Sequence, residues 1–130
     1  MDIFKTPEEL DMTQQEKSAL IIVMHQMESG QLIHDPATFP MWTNPTAKKF
    51  NMFSQRECIG YWMGIQMGMG SSDASTYVFK QENDTTKLRE LIWGNTDRSI
   101  TPDMAAKVIR NFLETGVVDW QIGYLTQDAH

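Results

Sequence analysis

Cys58 is the only thiol in the chain and carries the most intrinsic nucleophilic chemistry. It opens the apolar run Cys58-Ile59-Gly60-Tyr61-Trp62-Met63-Gly64, near the start of a helix, where the helix dipole would lower its pKa. A nucleophile also needs a base, and His25, His34 and His130 are the imidazoles available. None stands in a recognisable catalytic context. The surroundings of Cys58 favour a buried, inert thiol, and no catalytic residue is assigned. An enzyme using Cys58 or a convergent His/Asp/Glu set is the weakest functional reading.

Metal chemistry fares no better. His25 and Glu28 stand three apart and can share a helix face, with His34 and Asp35 following. A metal centre needs three or four converging ligands, so the pair reads as a solvated edge and no metal or cofactor is expected. One cysteine also excludes an intramolecular disulfide and a cysteine-based zinc site. The turn Gly68-Met69-Gly70-Ser71-Ser72-Asp73 offers backbone N–H groups and hydroxyls to an anion. It lacks the Gly-Lys-Ser/Thr ending of a P-loop, and a helix end repels anions unless a new helix begins at 71–73. It reads as a C-cap and connector.

Recognition chemistry is better supplied. There are ten methionines and the tryptophans Trp42, Trp62, Trp93 and Trp120. Methionine adapts to varied partners, and tryptophan is enriched in binding hot spots, although both also fill cores. Trp42, in a proline-bearing loop, is the aromatic best placed for a surface. With Arg56, Tyr61 and Trp62 it forms the candidate set for stacking and charge against a ligand or partner.

The elements that would hold these residues are mostly helical. Gly60, Gly64 and Gly68 recur every four residues, a bare stripe where another backbone can approach. Glycine costs about 1 kcal/mol per helical position relative to alanine, so close packing must compensate. With Met63 and Met67, the stripe is the candidate helix-packing or oligomer interface. Its partner would be a second subunit, the first helix or the helix starting at Thr101. Ser54-Gln55-Arg56-Glu57 resembles a capping box, which supports a helix over 55–69, apolar on nearly every side.

Similar punctuation marks the other helices. Thr6-Pro7-Glu8-Glu9 suggests a short turn at 7–10, and Thr13-Gln14-Gln15-Glu16 starts a helix running to Ser29, stopped by Gly30. Segment 85–93 reads as a short helix ended by Gly94. Thr101-Pro102 starts another helix, with an apolar stripe from Met104 to Leu113 and a stop at Gly116. Between 31 and 51, Pro36, Pro40 and Pro45 indicate an ordered loop carrying Phe39, Met41 and Trp42. The β-branched and aromatic stretch 75–81 suggests a strand, as does the alternation of 118–124. Paired, they would form a small two-stranded β element, with a terminal helix the competing reading of 118–124. The expected fold is one mainly α, compact helical domain over 1–130, of about four helices, with that β element as a candidate addition.

Composition then narrows the function classes. A net charge of −6 argues against a broad grip on nucleic acid, and basic groups such as Lys48-Lys49 are too sparse to overturn that. No apolar run approaches the roughly 20 residues that span a bilayer, and the N-terminus lacks the pattern of a signal peptide. The expectation is a soluble cytoplasmic protein. The leading functional reading is a non-enzymatic, small acidic interaction protein, regulatory or inhibitory. It would act through a protein partner and self-associate through the glycine-striped helix. The alternative is a small-ligand binder, nucleotide-like ligands included, with an aromatic- and methionine-lined pocket.

Overall fold

The computed structural model describes residues 3–34, 48–54 and 56–125. Among them the chain forms seven helices: α1 (Pro7–Leu10), α2 (Gln14–Glu28), α3 (Ile59–Gln66), α4 (Ser71–Glu82), α5 (Lys87–Trp93), α6 (Pro102–Thr115) and α7 (Gln121–Leu125). Two short strands, β1 (Ile33–His34) and β2 (Lys49–Phe50), pair in parallel, with Ile33 opposite Lys49 and His34 opposite Phe50. The mainly helical class holds. The small sheet lies elsewhere than expected.

Local signals explain where most helices begin and end. Thr6 and Thr13 each accept a bond from the backbone N–H three residues on, while Glu9 and Glu16 return the bond to the cap. Each reciprocal pair satisfies donors that a helix start leaves open. At the end of α2, Gly30 adopts φ +82°, and the N–H of Gln31 donates to the Gln26 carbonyl at 2.9 Å. That is a Schellman ending, and Leu32 is buried beyond it. Thr101 caps the start of α6 through the Met104 N–H, Gly116 ends it in the left-handed region with its N–H donated to the Phe112 carbonyl, and the stripe from Met104 through Leu113 is buried.

The helices pack as a series: α7 on α6, α6 on α2, α2 on α3, α3 on α4, and α4 on α5, which also touches α3. So α3 is central. Ile59 and Met63 are fully buried, and α2, α4 and α5 cover a helix that is apolar on almost every side. The same burial seats Leu20, Val23, Met24 and Met27 of α2 against Val108, Ile109 and Phe112 of α6 in one continuous core.

Three sequence expectations are corrected. Segment 75–81 is not a strand but the body of α4, whose buried residues Ala74, Val78 and Gln81 recur with helical spacing. Burial of that stripe against α3 overrides the β-propensity of Thr76, Tyr77 and Val78. Segment 118–124 is likewise no strand; its end forms α7, because with 75–81 helical it has no ladder partner there. Gly123 lets α7 approach closely: a Cβ there would stand 3.2 Å from the Met104 carbonyl oxygen. Finally, α3 is shorter than 55–69. Cys58 is its N-cap, and the turn before it closes when the Glu57 N–H donates to the Ser54 carbonyl.

Candidate functional site

The turn at 51–54 is built by its first residue. The Asn51 side-chain oxygen accepts from the Phe53 N–H at 2.8 Å, and the Asn51 carbonyl accepts from the Ser54 N–H at 3.1 Å. A side chain that bonds backbone two residues on is the usual means of fixing such a turn. Its consequence is that Met52 points inward while Phe53 stands out, 54% exposed.

Beside this turn lies a cleft of about 150 Å³. Its floor comprises the buried side chains Met52, Cys58, Val78 and Ile92. Phe53, Ser54, Trp93 and Thr96 form the more accessible edge. Three stretches therefore meet here: the 51–58 connection, the inner face of α4, and α5 with the loop after it. Trp93 is held by its indole N–H, which donates to the Val78 carbonyl at 2.8 Å. Phe79 lies against Trp93, ring centres 6.5 Å apart, and is 45% exposed. The Arg98 guanidinium sits 5.8 Å from the centre of the Phe53 ring, within cation–π range.

The loop carrying Thr96 and Arg98 is tied down by hydrogen bonds. One Asp97 carboxylate oxygen accepts from Ser99 N–H and hydroxyl, and the other accepts the Tyr124 hydroxyl at 2.7 Å. Tyr124 also accepts from the Asn95 side-chain amide. The Tyr124 bond, and then those from Ser99, hold the Asp97 carboxyl below the ordinary aspartate range. On the strand side, His34 Nε2 lies 2.8 Å from the Arg98 carbonyl oxygen, so that nitrogen carries the donated proton.

Cys58 faces this cleft but is only 3% exposed, and burial pushes its thiol up to about 11. Backbone N–H groups around it act in the opposite sense and are outweighed. At neutral pH the group is a thiol, and its role is that of a small apolar floor residue. Glu28 is engaged by Arg110 in a bidentate fork, with contacts from 2.9 to 3.2 Å. Among the described residues, no three His, Cys, Asp or Glu side chains converge as a metal site would require.

The remaining expected contacts divide. Tyr61 is buried, donates to the Ser71 hydroxyl at 3.1 Å, and packs edge-on against Trp62. The Trp62 indole N–H is shared between the carbonyls of Lys49 and Glu57, which ties α3 to β2. Both rings serve the fold and lie away from the cleft edge. Arg56 is exposed just beyond Ser54, and Trp42 lies outside the described residues, as do Asp35 and His130.

The glycine stripe is filled from within the chain. A Cβ on Gly60 would meet the tips of Ile92 and Val78 at 3.0 and 3.2 Å. A Cβ on Gly64 would come within 2.9 Å of the Ala74 Cβ and 3.0 Å of its Cα. The partners are α4 at both glycines and α5, through Ile92, at Gly60; none of the nearest atoms comes from α2 or α6, and α4 is the element that a strand over 75–81 conceals. Gly68 does different work: at φ +91° it ends α3, where the Met69 N–H donates back to the Gly64 carbonyl at 3.0 Å. Met63 is fully buried and Met67 half-buried.

Sequence reasoning missed Met52 and Phe53 in the cleft, and Phe79 and Arg98, which lie against its edge residues Trp93 and Phe53. Periodicity could have flagged one of them. Read as helix, 71–82 places Ala74 and Val78 inward and leaves Phe79 as an exposed aromatic. No family model matches the chain, and no curated protein or solved structure matches it.

Proposed function

We propose that the chain is a non-enzymatic, cytoplasmic interaction protein that engages a protein partner through the Phe53–Trp93 cleft and the aromatic edge beside it. The observation that carries this reading is the accessible aromatic group formed by Phe53, Trp93 and Phe79. Large apolar side chains left exposed together around a concavity are characteristic of interaction surfaces. Phe53 and Phe79 leave much of their apolar surface in water, at about 25 cal/mol per Å², and covering them would favour association.

Size favours a protein partner over a small ligand. Ligand pockets usually enclose roughly 300–1,000 Å³, whereas a cavity near 150 Å³ suits a group the size of benzene. The cleft therefore matches one side chain. A second hollow, of about 290 Å³, lies along α4 between Met69, Asp73, Thr76, Tyr77 and Lys80. It favours the small-ligand reading by volume alone, since most of its edge is exposed and polar. Self-association through α3 draws no support from Gly60 and Gly64, which are already covered inside the chain.

Native mass spectrometry of protein isolated gently from its own cells tests the proposal. The expected result is a complex containing a second, different polypeptide, lost in the Phe53→Ser variant. A bare chain, or one retaining a small molecule, would contradict it.

A further inference from the structure

We infer that the hollow along α4 is a second site, one that takes a small zwitterion of dipeptide length, its ammonium at Asp73 and its carboxylate at Lys80. The inference is independent of the partner reading. Asp73, Thr76 and Lys80 lie on the side of α4 away from Val78, the residue that α4 gives to the Phe53–Trp93 cleft.

The hollow, of about 290 Å³, is lined by Met69, Asp73, Thr76, Tyr77 and Lys80. The four residues of α4 stand at i, i+3, i+4 and i+7, which sets them along one stripe of the helix. The two charges on this stripe are of opposite sign and stand at opposite ends. Seven residues of helical rise separate them by about 10 Å along the axis, too far for a direct ion pair. Among the described residues, the side chains of Asp73 and Lys80 make no hydrogen bond or ion pair within the chain. Each charge is therefore open to a ligand lying between them.

The floor between the charges is set in advance. The Tyr77 hydroxyl donates to a Glu16 carboxylate oxygen at 2.7 Å, which fixes the ring and satisfies its polar end. The other oxygen of Glu16 accepts from the Thr13 N–H, so this acid is engaged on both sides. Thr76 is engaged as well, its hydroxyl donating to the Ser72 carbonyl at 3.1 Å. Met69 is half-buried and brings a flexible thioether that adapts to an apolar group. Asp73 and Lys80 thus supply the polar recognition, while Tyr77 and Met69 supply the apolar surface.

Charge separation sets the ligand length. A single α-amino acid carries both charges on one carbon and reaches only one end of the stripe. A dipeptide, at about 3.3–3.6 Å per residue, holds its terminal charges about 7 Å apart. That length lies across Tyr77 with one terminus toward each side chain. Helical side chains lean toward the N-terminus of their helix, so the lysine chain closes the remaining distance. Both charged partners are exposed, so the ligand is held weakly and leaves during isolation of the protein.

The test adds alanyl-leucine to the isotopically labelled full chain, with N-acetylalanyl-leucine, alanyl-leucine amide and leucine as controls. Backbone amide shifts report where each binds. Alanyl-leucine is expected to move the amides of Met69, Asp73, Tyr77 and Lys80 while those of Met52 and Trp93 stay in place. It should bind about fivefold more tightly than either blocked form, the upper range for one exposed charge pair. Asp73→Asn should remove the effect of acetylation and keep that of amidation, and Lys80→Gln should do the converse. Melting temperatures should stay near that of the native chain, because both side chains are exposed. Equal affinities for the free and blocked dipeptides would overturn the inference, as would leucine binding as tightly as alanyl-leucine. So would shifts confined to the cleft, or no shift at these amides at about 10 mM probe. Each of these outcomes leaves the partner reading intact, since that reading is tested by the isolated complex.

Discussion

At Cys58, position and chemistry pull in opposite directions, and burial prevails. The N-cap position of a helix would favour thiolate, but the apolar floor of the cleft raises the thiol to about 11. Native protein at pH 7.5 should therefore fail to react with a disulfide reagent, with full labelling appearing only on unfolding. Rapid labelling of the folded chain would show that the floor opens. Asp97 offers a second test. Its folded pKa lies below the ordinary value of 3.8, chiefly because Tyr124 donates to it. A depressed carboxyl contributes stability that is present above its unfolded pKa and lost as pH falls through the folded one. Melting temperature should thus drop below about pH 4 more steeply in the native chain than in Asp97→Asn. Asp97 is exposed, so the expected difference is small.

At the scale of elements, the α3–α4 contact is the most exacting piece of packing. Gly64→Ala drives a methyl into the backbone and Cβ of Ala74, whereas at Gly60 the nearest atoms are side-chain methyls of Ile92 and Val78 at 3.0–3.2 Å. Gly60→Ala should change stability by less than about 1 kcal/mol, because improved helix propensity offsets the crowding. Gly64→Ala should cost about 1–3 kcal/mol, and Gly64→Leu more, through overpacking. Urea denaturation of the three variants reads this order directly, and equal values for Gly60→Ala and Gly64→Ala would refute it. The same two glycines show what the sequence could and could not reveal. Their four-residue spacing announced a close helix contact, but its partner began at Gly70, an N-cap without a side-chain bond, and ran through β-branched residues. Where a threonine cap and a terminal glycine marked the ends, as for α2 and α6, the boundaries were legible to within a residue or two.

Across the whole molecule, the helices arranged around α3 bury most of the aliphatic side chains and leave a cluster of aromatic rings accessible at one place. No helix of the described residues is long and apolar enough to cross a membrane. The cleft itself was not legible, because Phe53, Val78, and Trp93 with Thr96 come from three separate stretches and share no spacing. Only the Asn51 turn, the α4 helix and the braced 95–100 loop bring them together. The most direct test of the central claim is photo-crosslinking in the native cell, with benzoylphenylalanine replacing Phe53 or, as a control on the far side of the core, Lys107. The expected result is a discrete protein adduct at position 53 that the control position does not form. Adducts absent from position 53, or equal at both positions, would contradict a partner-binding cleft.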